Sequence, residues 1–369
     1  MIKATMLSSS RGGVFSYTVD LVRGLFRKGC WFNVYLLEES ERARRLMDTL
    51  QVNPKSLTVS GLVPNFGSLI DFLLRDRPEV IHTNFAVLGS LAVFKKFAFG
   101  TRFIYTVHGI PQPWLESSFF EKVKYTLEKM LLPFVASHAS AVIVISNYVK
   151  NELKTTYGLD SEVIYNGIEA DRFRGANRRK SKKQLGYAEE ECLGLYVAKL
   201  HPYKDPLTLV RALNKAAQVN ENLRLALIGT GELRKKVDQA IRRLNLSTRI
   251  RIVEHLTEED LKLYYSAADF FVLTSTNEAF GIVLLEAMAS GLPIIASDSG
   301  ACSEVINGAG ILFVQGDFSD LANKMVMLSR DGELRRKLAK AGYSRVRETF
   351  SLESMIERYW KLYKSVTSN

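Results

Sequence analysis

Residues 270–296 read FFVLTSTNEAFGIVLLEAMASGLPIIA. Two short apolar runs, 270–273 and 293–296, stand at its ends, and a polar loop and an apolar stretch of helical length lie between them. Short runs that are apolar throughout are typical of strands buried on both faces of a parallel sheet. The segment therefore predicts a strand, a helix and a second strand, the repeating unit of an α/β fold.

The same alternation extends in both directions from this segment. In the carboxyl-terminal half the predicted strands are 193–198, 223–228, 250–253, 270–273, 293–296 and 310–313. In the amino-terminal half they are 2–7, 32–37, 79–83, 102–107, 141–145 and 162–165, and the first predicted helix spans 14–28. The pattern predicts two successive doubly wound parallel sheets.

Composition agrees with a globular chain of two domains. The length of 369 residues exceeds a typical domain, and 47% hydrophobic with 24% charged residues excludes disorder. No run reaches the ~18 apolar residues of a membrane-spanning helix, and no signal peptide is evident. The three cysteines lack C-x-x-C spacing, which argues against a disulfide framework or a zinc site and predicts a cytoplasmic location.

Charge is the unusual bulk property. Fifty Lys and Arg residues against 39 Asp and Glu give a net charge of +11. This balance favours an anionic partner, which would be a nucleic acid, an acidic membrane surface or a phosphorylated substrate. Residues 172–183 include seven basic and no acidic residues. They are either a solvated linker with the start of a helix or an anion-facing patch.

Ligands of open α/β sheets bind at the carboxyl ends of the strands, so the candidate site residues are those that follow each predicted strand. Gly12 and Gly13 follow the first strand and precede a helix, where glycine allows close approach to a phosphate. A tight turn is the alternative explanation. Neither G-x-G-x-x-G nor a P-loop motif occurs, so a dinucleotide dehydrogenase and a P-loop ATPase are not supported.

Two lysines follow the strand 193–198. Lys199 and Lys204 stand in the loop at its carboxyl end, where two ammonium groups could neutralise a diphosphate leaving group. The alternative is that they are ordinary surface lysines of a basic protein.

Glu278 and Glu286 lie eight positions apart in the quoted segment. If this span were fully helical it would be about 12 Å long, enough to reach from a sugar ring to a nucleotide ribose. A carboxylate can accept hydrogen bonds from two neighbouring hydroxyls, and backbone N–H groups around Gly281 could hold phosphates. The alternative for Glu286 is a solvent-facing position on an amphipathic helix.

His108 follows the strand that ends at Val107. A histidine there could act as a general acid or base or could hydrogen-bond a substrate, although a structural histidine is the alternative. His82, also at a strand end, has less functional weight. The five histidines show no H-E-x-x-H or comparable spacing, so no metal site is predicted.

Taken together, these residues resemble the retaining glycosyltransferase family 4 of the GT-B fold, over nearly the whole chain. The E-x7-E signature is its most specific element, and in the family the first carboxylate, here Glu278, contacts the donor sugar and the second, Glu286, the ribose. Lys199 and Lys204 match the family's basic pair on the diphosphate. Lys199 stands where Arg is usual, and Asp205 where Gly is usual. Because lysine cannot form the bidentate contact of a guanidinium group, the clamp is expected to be either weaker or arranged differently.

The resemblance assigns further residues. Gly12 and Gly13 resemble the glycine loop that faces the diphosphate, and His108 the histidine beside the donor sugar. The main chain at Phe280, Gly281 and Ile282 is expected to contact the diphosphate of the nucleotide.

The resemblance also implies a domain organisation. Two Rossmann-like domains are expected to face each other across a cleft. They would span 1–170, on the acceptor side, and 186–350, which binds the nucleotide sugar, with a basic linker at 171–185. The final helix, 351–369, is expected to cross back to the first domain.

The implied activity is transfer of a sugar from a UDP- or GDP-sugar to a glycan or lipid-linked acceptor, with retention and without a metal or other cofactor. Two alternatives remain open. One is a GT-B hexosamine epimerase, and the other is a basic nucleic-acid-binding protein, although no nucleic-acid-binding motif accompanies the charge.

Positive charge and apolar residues alternate in the first predicted domain, at 94–102 and again at 114–124. This combination predicts peripheral contact with an anionic membrane, in which Lys95 and Lys96 meet phosphate headgroups. The alternative is that the phenylalanines are core residues and the lysines are ordinary solvated caps.

Overall fold

A computed structural model of the chain describes residues 1–9, 12–36, 55–56, 58–59, 63–65, 67–68, 71–116, 118–174 and 177–368. The chain forms two compact units. The first comprises Met1–Asn166 together with Leu352–Asn369, and the second comprises Gly167–Ser351.

The first unit is built on a parallel sheet. The strands of this sheet are β1 Ile2–Ser8, β2 Cys30–Leu36, β3 Lys55–Ser56, β6 Val80–Thr83, β7 Arg102–Val107, β8 Ala141–Val144 and β9 Glu162–Val163. A separate two-stranded ribbon consists of β4 Thr58–Val59 and β5 Val63–Pro64. The strand order is β3-β2-β1-β6-β7-β8-β9, and the neighbouring strands are parallel. The α-helices of the segment Met1–Asn166 are α1 Gly12–Arg27, α2 Ala86–Phe99, α3 Phe119–His138 and α4 Asn147–Tyr157.

The second unit repeats this plan with six strands. They are β10 Cys192–Val197, β11 Leu223–Ile228, β12 Ile250–Val253, β13 Phe270–Leu273, β14 Ile294–Ser297 and β15 Gly310–Phe313. The helices are α5 Arg178–Gln184, α6 Pro206–Ala216, α7 Arg234–Arg243, α8 Glu258–Ala267, α9 Ile282–Ala289, α10 Cys302–Ile306, α11 Phe318–Arg330 and α12 Gly332–Thr349. The order β12-β11-β10-β13-β14-β15 is that of the dinucleotide-binding doubly wound fold.

The apolar runs of the sequence become the buried strands. All four residues of β13, Phe270–Leu273, are buried, as are the four of β14, and both strands run parallel to their neighbours. Continuous burial on both faces explains why these runs lack the apolar–polar alternation of half-exposed strands. The predicted fold class, two doubly wound α/β domains, is confirmed.

The last helix, α13 Leu352–Ser368, belongs to the first unit, as predicted. Met355, Ile356, Tyr359 and Tyr363 join the apolar core that α1 and the sheet form. In the part of the chain that the structure describes, no helix has the length and apolar character needed to cross a membrane.

The basic segment 172–183 lies within the second unit and is largely ion-paired there. Arg172 forms a two-point contact with Glu258, through Nε at 2.8 Å and Nη2 at 2.5 Å. Lys182 is buried and its Nζ lies 2.6 Å from Asp269. Much of the positive charge of this segment is therefore engaged by carboxylates of its own unit.

Candidate functional site

The strand order of the second unit locates a crevice. β10 lies between β11 and β13, so the chain leaves β10 towards one side of the sheet and returns on the other. Ligands of such sheets bind outside the carboxyl ends of the strands at this switch point. The loops that follow β10 and β13 carry Lys199, Lys204 and Glu278.

Lys204 and Glu278 form an ion pair at this position. The Lys204 Nζ atom lies 2.5 Å from Glu278 Oε2, and the two side chains are only 14% and 11% exposed. Burial lowers the pKa of Lys204, but Glu278 outweighs this effect and the pKa is raised above its usual value. Lys204 therefore carries its charge at neutral pH. The pair joins the sequence-predicted diphosphate residue to the sequence-predicted sugar residue.

Hydrogen bonds between the two loops hold this pair in place. The Thr274 hydroxyl donates to the carbonyl oxygens of Lys204 at 2.7 Å and Asp205 at 2.9 Å. The N–H group of Thr276 donates to the carbonyl of Tyr203 at 2.8 Å, and the Tyr196 hydroxyl donates to Lys204 O at 3.1 Å. The Lys204 main chain is thereby fixed against the loop that presents Glu278.

Asp205 stands where glycine is usual in the family that the sequence resembles, and the backbone still makes the turn at this position. Its backbone is left-handed, with φ 44° and ψ 58°, a conformation that glycine adopts freely and aspartate tolerates. Its carboxylate also accepts a hydrogen bond from the N–H of Thr208 and caps α6. Lys199 stands earlier in the same loop and is exposed.

Small residues that follow β13 and β14 pack around Glu278. Ser275 is fully buried and donates a hydrogen bond to Glu278 Oε2 at 2.8 Å. The hydroxyl of Ser299 bonds in turn to Ser275 O at 2.5 Å. Gly300 has φ +56°, and a Cβ there would lie 2.2 Å from the carbonyl oxygen of Glu278. The position therefore requires glycine, because a side chain would push Glu278 out of place.

Gly281 turns the chain into α9, as the sequence suggested. Its φ of 86° lies in the left-handed region, and no side chain caps the N-terminus of α9. The first N–H groups of a helix have no partner within the helix, so those near Ile282 can receive an anion. Residues 278–281 are not helical, so the condition for the predicted 12 Å helical span is not met.

Phe280, which precedes this turn, is buried and packs edge-on against Phe350 with ring centroids 5.7 Å apart. Its ring therefore serves the core of the second unit. Any contact of this residue with a ligand would have to come from its main chain.

Glu286 lies on α9 and is partly buried, not fully solvent-facing. The Tyr265 hydroxyl donates a hydrogen bond to Glu286 Oε2 at 2.8 Å. Burial raises the pKa of Glu286 to about 7, although the Tyr265 bond and the charge of Arg172 act in the opposite direction. The carboxyl group therefore changes its charge near neutral pH.

The first unit presents its own residues at strand ends. Gly12 and Gly13 open α1 after β1, and His108 follows β7. The His108 ring meets Tyr17 edge-on at 4.8 Å, and its buried Nε2 has no hydrogen-bond partner among the described residues. Burial lowers the pKa of His108 to about 3, so the ring is a neutral donor or acceptor at pH 7.

Asn84 is a polar residue that sequence analysis missed. It follows β6, is buried, and donates through Nδ2 to Ser8 and Thr18 at 3.1 Å each. Its Oδ1 is also without a partner among the described residues. β6 lies between β1, which leads to Gly12, and β7, which leads to His108. The unsatisfied Oδ1 acceptor of Asn84 therefore stands at the end of the middle strand of these three. The sequence signal that could have identified Asn84 is its position directly after the strand Val80–Thr83.

His82 is a structural histidine. Its Nδ1 lies 2.9 Å from the Tyr363 hydroxyl and its Nε2 lies 2.7 Å from the hydroxyl of Thr106. Both ring nitrogens are therefore satisfied inside the core of the first unit, which agrees with the lower functional weight given to this residue.

Family models match the two halves of the chain in turn. The model for Glycosyltransferase Family 4 matches residues 11–172, and the model for Glycosyl transferases group 1 matches residues 177–345.

Curated relatives match most of the chain at moderate identity. N-acetyl-alpha-D-glucosaminyl L-malate synthase of Bacillus anthracis is 25% identical over 299 residues, which cover 79% of this chain and 76% of that protein. The GDP-mannose-dependent monoacylated alpha-(1-6)-phosphatidylinositol monomannoside mannosyltransferase of Corynebacterium glutamicum is 25% identical over 311 residues, 79% of this chain and 78% of that protein.

Among solved structures, HepE of Anabaena in complex with UDP and glucose has a TM-score of 0.86. The match covers 99% of this chain and 100% of that one, at 21% identity. At this identity the likeness concerns the fold.

Proposed function

Because the chain belongs to glycosyltransferase family 4 and has the GT-B fold, we propose that it transfers a sugar from a nucleotide-sugar donor to an acceptor with retention of the anomeric configuration. Glycosyl transfer is the activity that the family models and relatives share. A hexosamine epimerase and a nucleic-acid-binding protein are not favoured by any of these relationships.

The observation that carries the proposal is the buried Lys204–Glu278 pair at the switch point of the second sheet. In the proposed complex the donor diphosphate lies against Lys204, Lys199 and the N–H groups at the start of α9. These groups stabilise the negative charge that develops as the sugar–phosphate bond breaks. Glu278 then accepts hydrogen bonds from hydroxyls of the donor sugar, with its carboxylate positioned by Ser275 and the ammonium group of Lys204.

Glu286 is proposed to bind the nucleotide ribose. Its carboxylate retains acceptor capacity beyond the single bond from Tyr265, and two adjacent hydroxyls match the two oxygens of a carboxylate. In the first unit, His108 Nε2 offers a neutral polar atom for a sugar hydroxyl. Gly12 and Gly13, at the start of α1, are proposed to face the diphosphate.

The donor is proposed to be a UDP- or GDP-sugar. The structural neighbour HepE is described with UDP and glucose, and the mannosyltransferase relative is named for GDP-mannose. For the acceptor, one relative's name specifies L-malate and the other an acylated phosphatidylinositol mannoside. A glycan or lipid-linked acceptor is proposed for this chain, together with a cytoplasmic location that includes the inner face of a membrane.

Transfer is proposed to need no metal ion, because Lys199, Lys204 and the N-terminus of α9 supply positive charge for the diphosphate. A chelator should therefore leave turnover nearly unchanged. A strict requirement for magnesium or manganese would contradict this part of the proposal.

Thermal-shift measurements with UDP-, GDP- and ADP-sugars test the proposal directly, since a ligand that binds the folded state raises the melting temperature. The matching donor should raise it, and nucleoside diphosphate should be released only when acceptor is present. Glu278→Gln should abolish turnover, whereas Glu333→Gln, an exposed glutamate on α12, should not. If no nucleotide sugar binds, the proposal is wrong; nucleoside diphosphate release without acceptor would point to the epimerase.

A further inference from the structure

The first unit exposes an unusual number of large apolar side chains. Of the seventeen exposed ones among the described residues, ten lie between residues 94 and 134. They form what we call the apolar surface, composed of Phe94, Phe97, Phe99, Trp114, Phe119, Phe120, Val123, Leu127, Met130 and Phe134. Clustered exposure of this kind marks an interaction site, because scattered single residues are the norm on soluble proteins.

Most of the apolar surface is one face of α3. At 3.6 residues per turn, its six exposed apolar side chains fall within about 100° of the helix circumference. They are Phe119, Phe120, Val123, Leu127, Met130 and Phe134. The opposite face carries the buried residues Glu128, Leu132, Val135 and Ala136. The helix is thus apolar both towards the core and towards solvent, and among the described residues of the unit its outward apolar side chains are exposed.

α2 extends this face. The Glu128 carboxylate accepts hydrogen bonds from the N–H groups of Ala86 and Val87 at the start of α2. At the other end, the His138 ring contacts Phe97 at 5.5 Å and Phe134 at 4.7 Å between centroids. The two helices therefore run side by side in the same direction, and Phe97 of α2 and Phe134 of α3, which both contact the His138 ring, link their exposed apolar faces.

Positive charge borders the apolar surface. Lys122 is exposed, and the Lys129 ammonium lies 4.6 Å from the centroid of the Trp114 ring. The guanidinium carbon of Arg77 lies 4.0 Å from the centroid of the Phe99 ring. The two acidic residues of α3 do not offset this charge, because Glu121 faces Lys124 at 3.7 Å and Glu128 is buried.

One residue expected to contribute does not. Lys95 is fully buried, and its ammonium donates to the carbonyl oxygens of Phe72 at 2.6 Å and Asp76 at 2.5 Å. The prediction that Lys95 meets lipid headgroups was therefore wrong. The alternative prediction that the phenylalanines are core residues also fails for Phe94, Phe97 and Phe99, which are exposed.

We propose that the apolar surface docks the first unit onto an anionic lipid bilayer. The apolar side chains enter the interface between headgroups and acyl chains, while Lys122, Lys129 and Arg77 meet phosphate groups. A second copy of the chain fits less well, because a symmetric pairing of this surface would bring the same basic border against itself. The docking itself does not depend on the donor. Only the idea that docking brings a lipid-linked acceptor within reach rests on the proposed function.

Co-sedimentation of the full chain with vesicles tests the proposal. Vesicles of phosphatidylcholine with phosphatidylglycerol should bind the protein at low salt, and binding should weaken with added salt. Each lysine near an anionic surface contributes about a fivefold factor, so Lys122→Gln with Lys129→Gln should weaken binding about thirtyfold. Phe119→Ser with Phe120→Ser should weaken it at least about tenfold. The matched control, Lys337→Gln with Lys340→Gln on α12, removes the same charge elsewhere and should bind like the unchanged protein.

Several results would overturn the docking. They are absence of binding to the anionic vesicles at low salt, equal loss of binding in the control, and a concentration-dependent dimer that disappears in the Phe119/Phe120 variant. All substituted side chains are exposed or partly exposed, so the variants should melt at the temperature of the unchanged protein. Donor binding measured without vesicles should be unchanged in every variant. A failure of the docking is therefore distinguishable from a failure of the proposed activity.

Discussion

Binding of the nucleotide-sugar donor should depend on pH through one residue, Glu286. Burial raises the pKa of its carboxyl group to about 7. Only the ionised form can accept hydrogen bonds through both oxygens from ribose hydroxyls. At a pKa of about 7, roughly a tenth of the carboxyl groups are ionised at pH 6 and about nine tenths at pH 8. If only this fraction is competent, the dissociation constant should fall about tenfold over that interval.

Isothermal titration with the intact nucleotide sugar, in the absence of acceptor, measures this effect. The intact donor is preferable to the free nucleoside diphosphate, whose terminal phosphate titrates in the same range. Glu286→Gln should weaken binding about ten- to hundredfold at pH 8, since a charged hydrogen bond contributes about 1.5–3 kcal/mol, and should remove the pH dependence.

Tyr265→Phe refines the prediction. The Tyr265 hydroxyl stabilises the ionised carboxylate and so lowers the pKa of Glu286. Its removal should raise that pKa and shift the midpoint of the binding curve to higher pH. A dissociation constant that is flat between pH 6 and 8, or a pH dependence that survives in Glu286→Gln, would refute the assignment of Glu286 to the ribose.

Four further substitutions test the remaining site. Glu278→Ala should depress turnover far more than the affinity for nucleoside diphosphate, as steady-state kinetics beside titration calorimetry will show; intact turnover would remove Glu278 from the reaction. Lys199→Met and Lys204→Met should each slow transfer, and the double variant should lose less than the sum of the two barrier increases if both act on one diphosphate charge; strict additivity would separate their roles. Gly300→Ala should destabilise the second unit by about 1–3 kcal/mol in urea unfolding, because φ is +56° and the new Cβ would meet the backbone of Glu278; unchanged stability would show that the loop can relax.

Much of the fold follows from the sequence because its strands are buried on both faces. The predicted strands 223–228, 250–253, 270–273 and 310–313 coincide with the observed ones, as continuous apolar runs bounded by turn residues leave little choice of register. The first helix begins at Gly12, two residues before the predicted start, since glycines weaken the periodic signal at a helix end.

The site was only partly predictable. Lys204 and Glu278 were each singled out, but their contact joins residues 74 positions apart and depends on β10 and β13 becoming neighbours. Tyr265 and Ser275 gave no signal, because a tyrosine in a helix and a serine after a strand are common. The outward apolar face of α3 was recognised only at its start, near Phe119. Its continuation to Phe134 resembles a core pattern when the packing partners are unknown.

The docking of α13 has a consequence for synthesis of the protein. Tyr359 and Tyr363, which complete the core of the first unit and bond to Thr106 and His82, are translated after the whole of the second unit. On the ribosome, residues 167–351 can therefore acquire their full set of contacts before the unit that was begun first. Until α13 has emerged from the ribosome, the nascent first unit exposes the apolar face of α1 that α13 will cover, so chaperones have most to protect during this interval.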